Sequence, residues 1–299
     1  MRRPGGNPDV VSPAERAPSS AGFAGAVGAG GGLGGGRRGP LRSMRRPGAA
    51  VLSFVVAGAV WEAFARSGVF SSALTPSLVD IAATLGRLVL SGRIFLHIGY
   101  TLWRILIGLG LACLVGIPIG MLMGRFRFVE RFVLPLVSVL SPIPSLAWVP
   151  VFILWFGLGD AAAMALVFYA ATFPVILNTW TGVRSVNRLW LRAARAMGAD
   201  GRVLFVKVVL PGALPLVIAG FRQAFARSWI AVVGGEMIAA TTWGLGFVIF
   251  DAKEFLNTDV MLGTLFVIGV LGLGFERLIF QTLERRSVGR WGMVRTAGS

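Results

Sequence analysis

The residues able to do chemistry are few, and most of them sit in apolar surroundings. Among 299 residues there is one histidine, His97, one cysteine, Cys113, and 13 acids. Neither a disulfide framework nor a His/Cys/Asp/Glu cluster with metal-ligand spacing can be assembled from them. No Gly-x-x-x-x-Gly-Lys-Ser/Thr loop occurs, and the only lysines, Lys207 and Lys253, lie outside any glycine-rich phosphate cradle. Any ATP hydrolysis therefore has to come from another chain, and no cofactor site is expected. What remains is a set of polar groups inside apolar runs. Ser141 and Trp148 lie among Pro142, Pro144 and Pro150; Asn178, Thr179 and Thr181 follow Pro174; Arg222, Gln223, Arg227, Ser228 and Glu236 share one long stretch. Such groups are expensive in hydrocarbon, so they are the candidates for a translocation pathway. An arginine such as Arg227 can offset the desolvation of a small anion, a sulfonate or nitrate. The competing role is an ion pair within the structure. Arg227 and Glu236 are about two and a half helical turns apart, too far for a direct pair along one helix. Likewise the polar residues after Pro174 read either as pore donors at a kink or as hydrogen bonds between helices.

The elements that position these residues follow from composition. Hydrophobic residues make up 55% of the chain and charged residues 14%, so a bilayer is the natural solvent. The net charge of +16 is carried between apolar runs rather than on one soluble face, which argues for membrane topology and against nucleic-acid binding. Six apolar stretches have roughly the 20-residue length of a spanning helix: 49–66, 97–124, 133–157, 161–183, 212–240 and 260–283. Without the dyad alternation of a barrel they must be helices, so the expected fold is all-α, a polytopic bundle of six transmembrane helices. Arginines concentrate in alternate loops, at Arg125–Arg131, Arg184–Lys207 and Arg285–Arg295, which places both termini and those loops in the cytoplasm. His97, with Tyr100 and Trp103 nearby, suits an interfacial aromatic belt, and Gly108, Gly110, Gly116 and Gly120 suit close helix packing.

Residues 1–48, with glycine at six of the seven positions from Gly30 to Gly36, lack the apolar content to fold and are expected to be a disordered cytoplasmic tail. The membrane-spanning body is expected to run from 49 to 292, with 293–299 a short cytoplasmic tail. Between the first two stretches, Ser77-Leu78-Val79-Asp80 has the form of a capping box opening an interfacial helix.

The longest basic loop, 185–209, predicts a compact helix-turn-helix. Helix formers run to Met197, Gly198 offers a left-handed stop, Asp200 can cap a second short helix, and Pro211 is expected to end it. Ala193, Ala194 and Ala196 leave the first helix slim on one side. This segment resembles the coupling loop of binding-protein-dependent ABC permeases, whose pattern is Glu-Ala-Ala, three residues, Gly, and then about nine residues to an apolar residue and Pro. Ala193-Ala194, Gly198 and Leu210-Pro211 fit; Arg192 stands where Glu is usual. Ser141-Pro-Ile-Pro144, Trp148-Val-Pro150, Leu154-Trp-Phe-Gly157, Phe173-Pro174, Asn178-Thr179, Glu236-Met237, Gly244-Leu-Gly246 and Arg290-Trp-Gly292 narrow the resemblance to the nitrate, sulfonate and taurine branch.

The resemblance covers about residues 50 to 292. It implies a homodimer in which each copy docks one cytoplasmic ATPase through Arg192, Ala193, Ala194, Gly198, Asp200, Leu210 and Pro211, and in which an extracytoplasmic solute-binding protein delivers a small anion. Ser141, Trp148, Asn178, Thr179, Arg227 and Glu236 are the expected pathway residues. An ion-coupled secondary transporter or channel is the rival; it would call for intramembrane acids or inverted repeats, and the stretches carry few acids and no convincing repeat. A membrane-embedded enzyme would call for converging catalytic groups, and none converge.

Overall fold

A computed structural model describes residues 47–71, 73–240 and 242–277. The chain divides into 1–51 and 52–299, and the architecture below is that of the second part. The expected tails lie outside the described residues, except for positions 47 and 48. Every regular element among the described residues is helical: α1 (Pro47–Arg66), α2 (Leu78–Leu90), α3 (Arg93–Arg125), α4 (Arg127–Leu140), α5 (Val149–Phe156), α6 (Asp160–Ser185), α7 (Arg188–Ala196), α8 (Gly201–Leu204), α9 (Leu210–Ala239), α10 (Leu245–Glu254) and α11 (Thr258–Phe275).

Four helical stretches are long and apolar enough to cross a membrane: α3, α6, the run Gly201–Ala239 and α11. The pair Arg127–Leu140 and Ser145–Phe156, bent by 89°, makes a fifth if it counts as one span. The break falls where Pro142 and Pro144 remove two backbone donors, as the sequence leads one to expect. The first expected stretch forms α1, which is not among these spans. The capping box is present: Ser77 Oγ accepts from the Asp80 N–H and Asp80 Oδ2 from the Ser77 N–H, both at 3.2 Å. α2 then rests on α11, where Thr84 Oγ1 donates to Asp259 Oδ2 at 2.5 Å.

α6 is the centre. Its most apolar stretch is 61% buried, against 11% for α11. α3 lies along one side and α9 along another. Lipid tails are as apolar as leucine, so such contacts are held by close packing rather than by expulsion of water. Gly108, Gly116, Gly120 and Gly124 of α3 supply the closeness. A Cβ on Gly108 would sit 2.6 Å from Val167, one on Gly116 2.9 Å from Val175, and one on Gly120 2.7 Å from the Ile176 carbonyl oxygen. Gly110, by contrast, faces open space. Ile105, Leu109, Ala112, Val167, Ala171, Val175, Ala224 and Val232 form the shared core of the three helices.

At one end of this trio a buried polar network ties five segments together. Arg104 of α3 is 2% exposed and Glu236 of α9 is fully buried. The Arg104 Nη1 group donates to Glu236 Oε1 and to the Trp243 carbonyl, each at 2.7 Å. Its Nε and Nη2 donate to Asp160 Oδ1 at the start of α6, at 2.9 and 2.5 Å. The second Glu236 oxygen accepts from Thr101 Oγ1 and from the Gly246 N–H at 2.9 Å, and Thr101 Oγ1 accepts from the Leu245 N–H. The first turn of α10 is thus docked on a carboxylate, the favourable sign for a helix N-terminus. Gly244, at φ +141°, leaves no room for a Cβ, which would meet Arg104 and the Glu236 carboxyl group at 2.6 Å. His97 Nδ1 accepts from the Gly244 N–H at 3.1 Å, beneath the Trp243 ring.

Two outcomes follow. Gly120→Leu should destabilise the bundle by about 1–3 kcal/mol through overpacking, whereas Gly110→Leu should not; midpoints of thermal unfolding in detergent will separate them. Removing Glu236, as in Glu236→Ala, leaves Arg104 with Asp160 as its one carboxylate and strips the Gly246 N–H and Thr101 hydroxyl of their acceptor; it should cost about 3 kcal/mol, read as a lower midpoint and reduced yield of folded protein.

Candidate functional site

The segment after α6 folds from local signals. Asn187 Oδ1 accepts from the Leu189 N–H at 2.8 Å and starts α7. The helix stops at Gly198, φ +83°, where the Gly198 N–H donates to the Arg195 carbonyl and the Ala199 N–H to the Ala194 carbonyl, both at 3.0 Å, the pairing of a Schellman turn. Asp200 Oδ1 then accepts from the Val203 N–H at 2.7 Å and starts α8. The helix-turn-helix expected of 185–209 is therefore formed, with Gly198 and Asp200 at the stop and the cap.

Pro211 does not end the second helix. Phe205–Val209 form a π turn that runs directly into α9, with Leu210 and Pro211 in its first turn. A proline in an α-helix clashes with the carbonyl four residues back; a wider π turn immediately before it gives the ring room. The second half of this helix-turn-helix knob, from Gly201, is therefore continuous with a long apolar helix. It is held from below by Arg125, the last residue of α3, whose guanidinium lies 5.7 Å from the Phe205 ring centre.

The two faces of α7 differ. Ala194 is buried against the turns that follow, while Arg192 and Ala193 point outward. Leu189, Trp190 and Met197 are exposed, Met197 to 82%, and they are ringed by exposed Arg188, Arg192 and Arg195. In the sequence the signal for these three apolar residues is their recurrence at helical spacing among arginines.

The expected pathway residues divide. Ser141 and Arg227 line one cleft of about 380 Å³, formed between the 141–145 bend, α6 and α9. Trp148 packs beside it, its ring 5.3 Å from that of Tyr169, another lining residue. Asn178 Nδ2 donates to the Pro174 carbonyl at 2.8 Å and to Gln223 Oε1 at 3.0 Å, joining α6 to α9 one turn below Arg227. Thr179 and Glu236 face no open space: Thr179 is packed against Gly120 of α3, and Glu236 is the centre of the buried network. The sequence reading left Arg227 without an identified partner and missed that the partner of Glu236 is Arg104. It also missed Ser145 and Tyr169. An arginine in the middle of an apolar run was the available signal for Arg104. Among the described residues no group of His, Cys, Asp and Glu could hold a metal ion.

Comparison with known proteins agrees with this geometry. Residues 116–286 match the family described as binding-protein-dependent transport system inner membrane component. The chain is 36% identical over 209 residues to the taurine transport system permease protein of Escherichia coli (strain K12), covering 70% of this chain and 74% of that one. It is 31% identical over 243 residues to the bicarbonate transport system permease protein of Synechococcus elongatus, covering 78% and 86%. In fold it is similar to a chain of a methionine ABC transporter solved in inward-facing conformations, with a TM-score of 0.56 at 21% identity over 66% of this chain and 96% of that one. The chain belongs to the binding-protein-dependent transport system inner membrane components: it is a membrane-spanning permease subunit of an ABC transporter and not itself an enzyme, in a family whose ATPase is a separate subunit.

Proposed function

We propose that this permease imports a small anionic solute, of the sulfonate, taurine or nitrate type, handed to it by an extracytoplasmic binding protein. It acts as two copies of this chain with two copies of a cytoplasmic ATPase. Six spans carry the transport, with α1 as the first and the bent pair as the third, and both termini lie in the cytoplasm. The arginine-rich loops then all fall on the cytoplasmic side. The relatives are named for transport of taurine, which carries a sulfonate group, and of bicarbonate, an oxyanion, which supports the substrate class.

The observation that carries the reading is the knob. Its exposed Leu189 and Trp190 on α7 and Met197 at its C-cap sit on a short helix capped at both ends, and the tight turn at Gly198 joins it to the run from Gly201 that is continuous with α9, so a surface that grips α7 pulls on a membrane helix through that turn. Closure of the two ATPases on ATP draws the knobs together and turns the bundle outward; hydrolysis releases them. Arg192, Ala193 and Gly198 are the contact residues of this surface, Ala194, Asp200, Leu210 and Pro211 its internal scaffold.

The test is purification of the chain from its native membrane in mild detergent beside Gly198→Asp and Met197→Asp variants, with co-purifying proteins identified by mass spectrometry. An ABC ATPase is expected with the wild type and a loss of at least about tenfold with either variant, at equal yield of the chain, since hot-spot contacts of this kind are worth about 2 kcal/mol or more. No ATPase with any form, at equal yields, removes the ATP-driven reading in favour of ion-coupled transport.

A further inference from the structure

Arg227 lies about three turns from the nearer end of α9, too deep for its guanidinium to meet a headgroup phosphate at the surface. It is exposed, and among the described residues no carboxylate pairs with it, whereas Arg104, Arg184 and Arg222 all pair with acids. Gln223, one turn before it, is exposed on the same face, so α9 presents a polar track in an otherwise apolar helix. The cleft it lines is distinct from two others of similar size. One of those holds Arg87 with Asp80 and Asp259; the other holds Arg93 and His97 with Asp251. In the Arg227 cleft there is a cation and no acid, together with the hydroxyls of Ser141 and Ser145 and an apolar wall from Ile143.

We propose that this cleft is an anion station inside the permease, taking the oxyanion head of a sulfonate-class solute on its way through. The guanidinium offers paired donors to two oxygens, and the serine hydroxyls can donate to the third. The volume of about 380 Å³ suits a solute of a few heavy atoms. The tyrosine opposite is already committed, its hydroxyl donating to the Leu140 carbonyl at 2.7 Å, so it shapes the wall and holds the bend rather than competing for the anion. A site in a pathway has to release what it binds, and a single cation with neutral hydroxyls attracts an anion without trapping it. The proposal rests on the importer reading and deepens it: selection for negative charge is repeated within the membrane-spanning chain.

The test needs neither the natural solute nor transport. In a Cys113→Ser background, Ser141→Cys is introduced, and the complex in native membranes is treated with two thiol reagents of similar size, an anionic sulfonatoethyl and a cationic trimethylammonioethyl methanethiosulfonate. With Arg227 present, the ratio of anionic to cationic rate should exceed that of the Arg227→Gln partner by about tenfold, and Arg227→Lys should restore most of it. Methanesulfonate should slow the anionic reagent only when residue 227 is cationic. A ratio that changes by less than about twofold between Arg and Gln overturns the proposal, as does the absence of reaction with both reagents, which would mean that no water-filled cleft exists. Ile143→Cys, on the apolar wall, gives the same reading should Ser141→Cys fail to insert. Loss of the ATPase association would sink the importer reading while leaving these rates as they are, so the two failures are distinguishable.

Discussion

The pairing of Arg104 with Glu236 is the constraint on which the rest of the bundle depends. Two opposite charges removed from water repay their desolvation only when the remaining donors and acceptors are also used. Here four of the five guanidinium N–H groups are used, by Glu236, Asp160 and the Trp243 carbonyl, and the carboxylate accepts from Arg104, Thr101 and the Gly246 amide. Satisfying the pair therefore dictates backbone positions. Segment 243–246 has to approach within hydrogen-bond distance, which requires glycine at 244 and 246, and α6 has to begin with its acid in reach. A local electrostatic requirement fixes the relative placement of α3, α6, α9 and α10 at one end.

Packing fixes the other end of the same trio. Towards Arg125, among the described residues no buried ion pair joins α3 to α6; the glycines at 116, 120 and 124 allow the backbones to approach instead. The two devices are complementary. Polar atoms specify one register, since a helix slipped by a turn would leave Glu236 unpaired, and glycine grooves then convert that register into many small dispersion contacts.

How much of this was legible in the sequence depends on how local the signal is. The knob was readable almost residue by residue, because an N-cap, a left-handed glycine and a second cap act within four or five residues of each other. Helical class and the apolar stretches were equally plain, and the prolines at 142 and 144 announced the bend. Pro211 misled, because a proline is a reliable stop in an isolated helix and nothing nearby signals the π turn that accommodates it. Arg104 and Glu236 are 132 residues apart, and no periodicity connects them. The same applies to Tyr169, Ser145 and Arg227, which share a cleft only because α6 and α9 flank the bend. Thr179 and Asn178 show that a polar residue next to a helical proline is as readily consumed by a neighbouring helix as turned to open space.

The unbroken helical run from Gly201 to Ala239 has a mechanical meaning. Its 39 residues amount to about 58 Å of helix, with the α8 end of the knob at one tip, Arg227 two thirds of the way along, and Glu236 near the other tip. On the proposed coupling, a tilt of about 10° about Glu236 carries the knob end through about 9 Å, several times the length of a hydrogen bond. The ion pair is then the fulcrum rather than the load: while it holds, the knob end travels furthest, and Arg227, about 14 Å along the helix from Glu236, shifts by about 2 Å against the wall of the bend at 141–145.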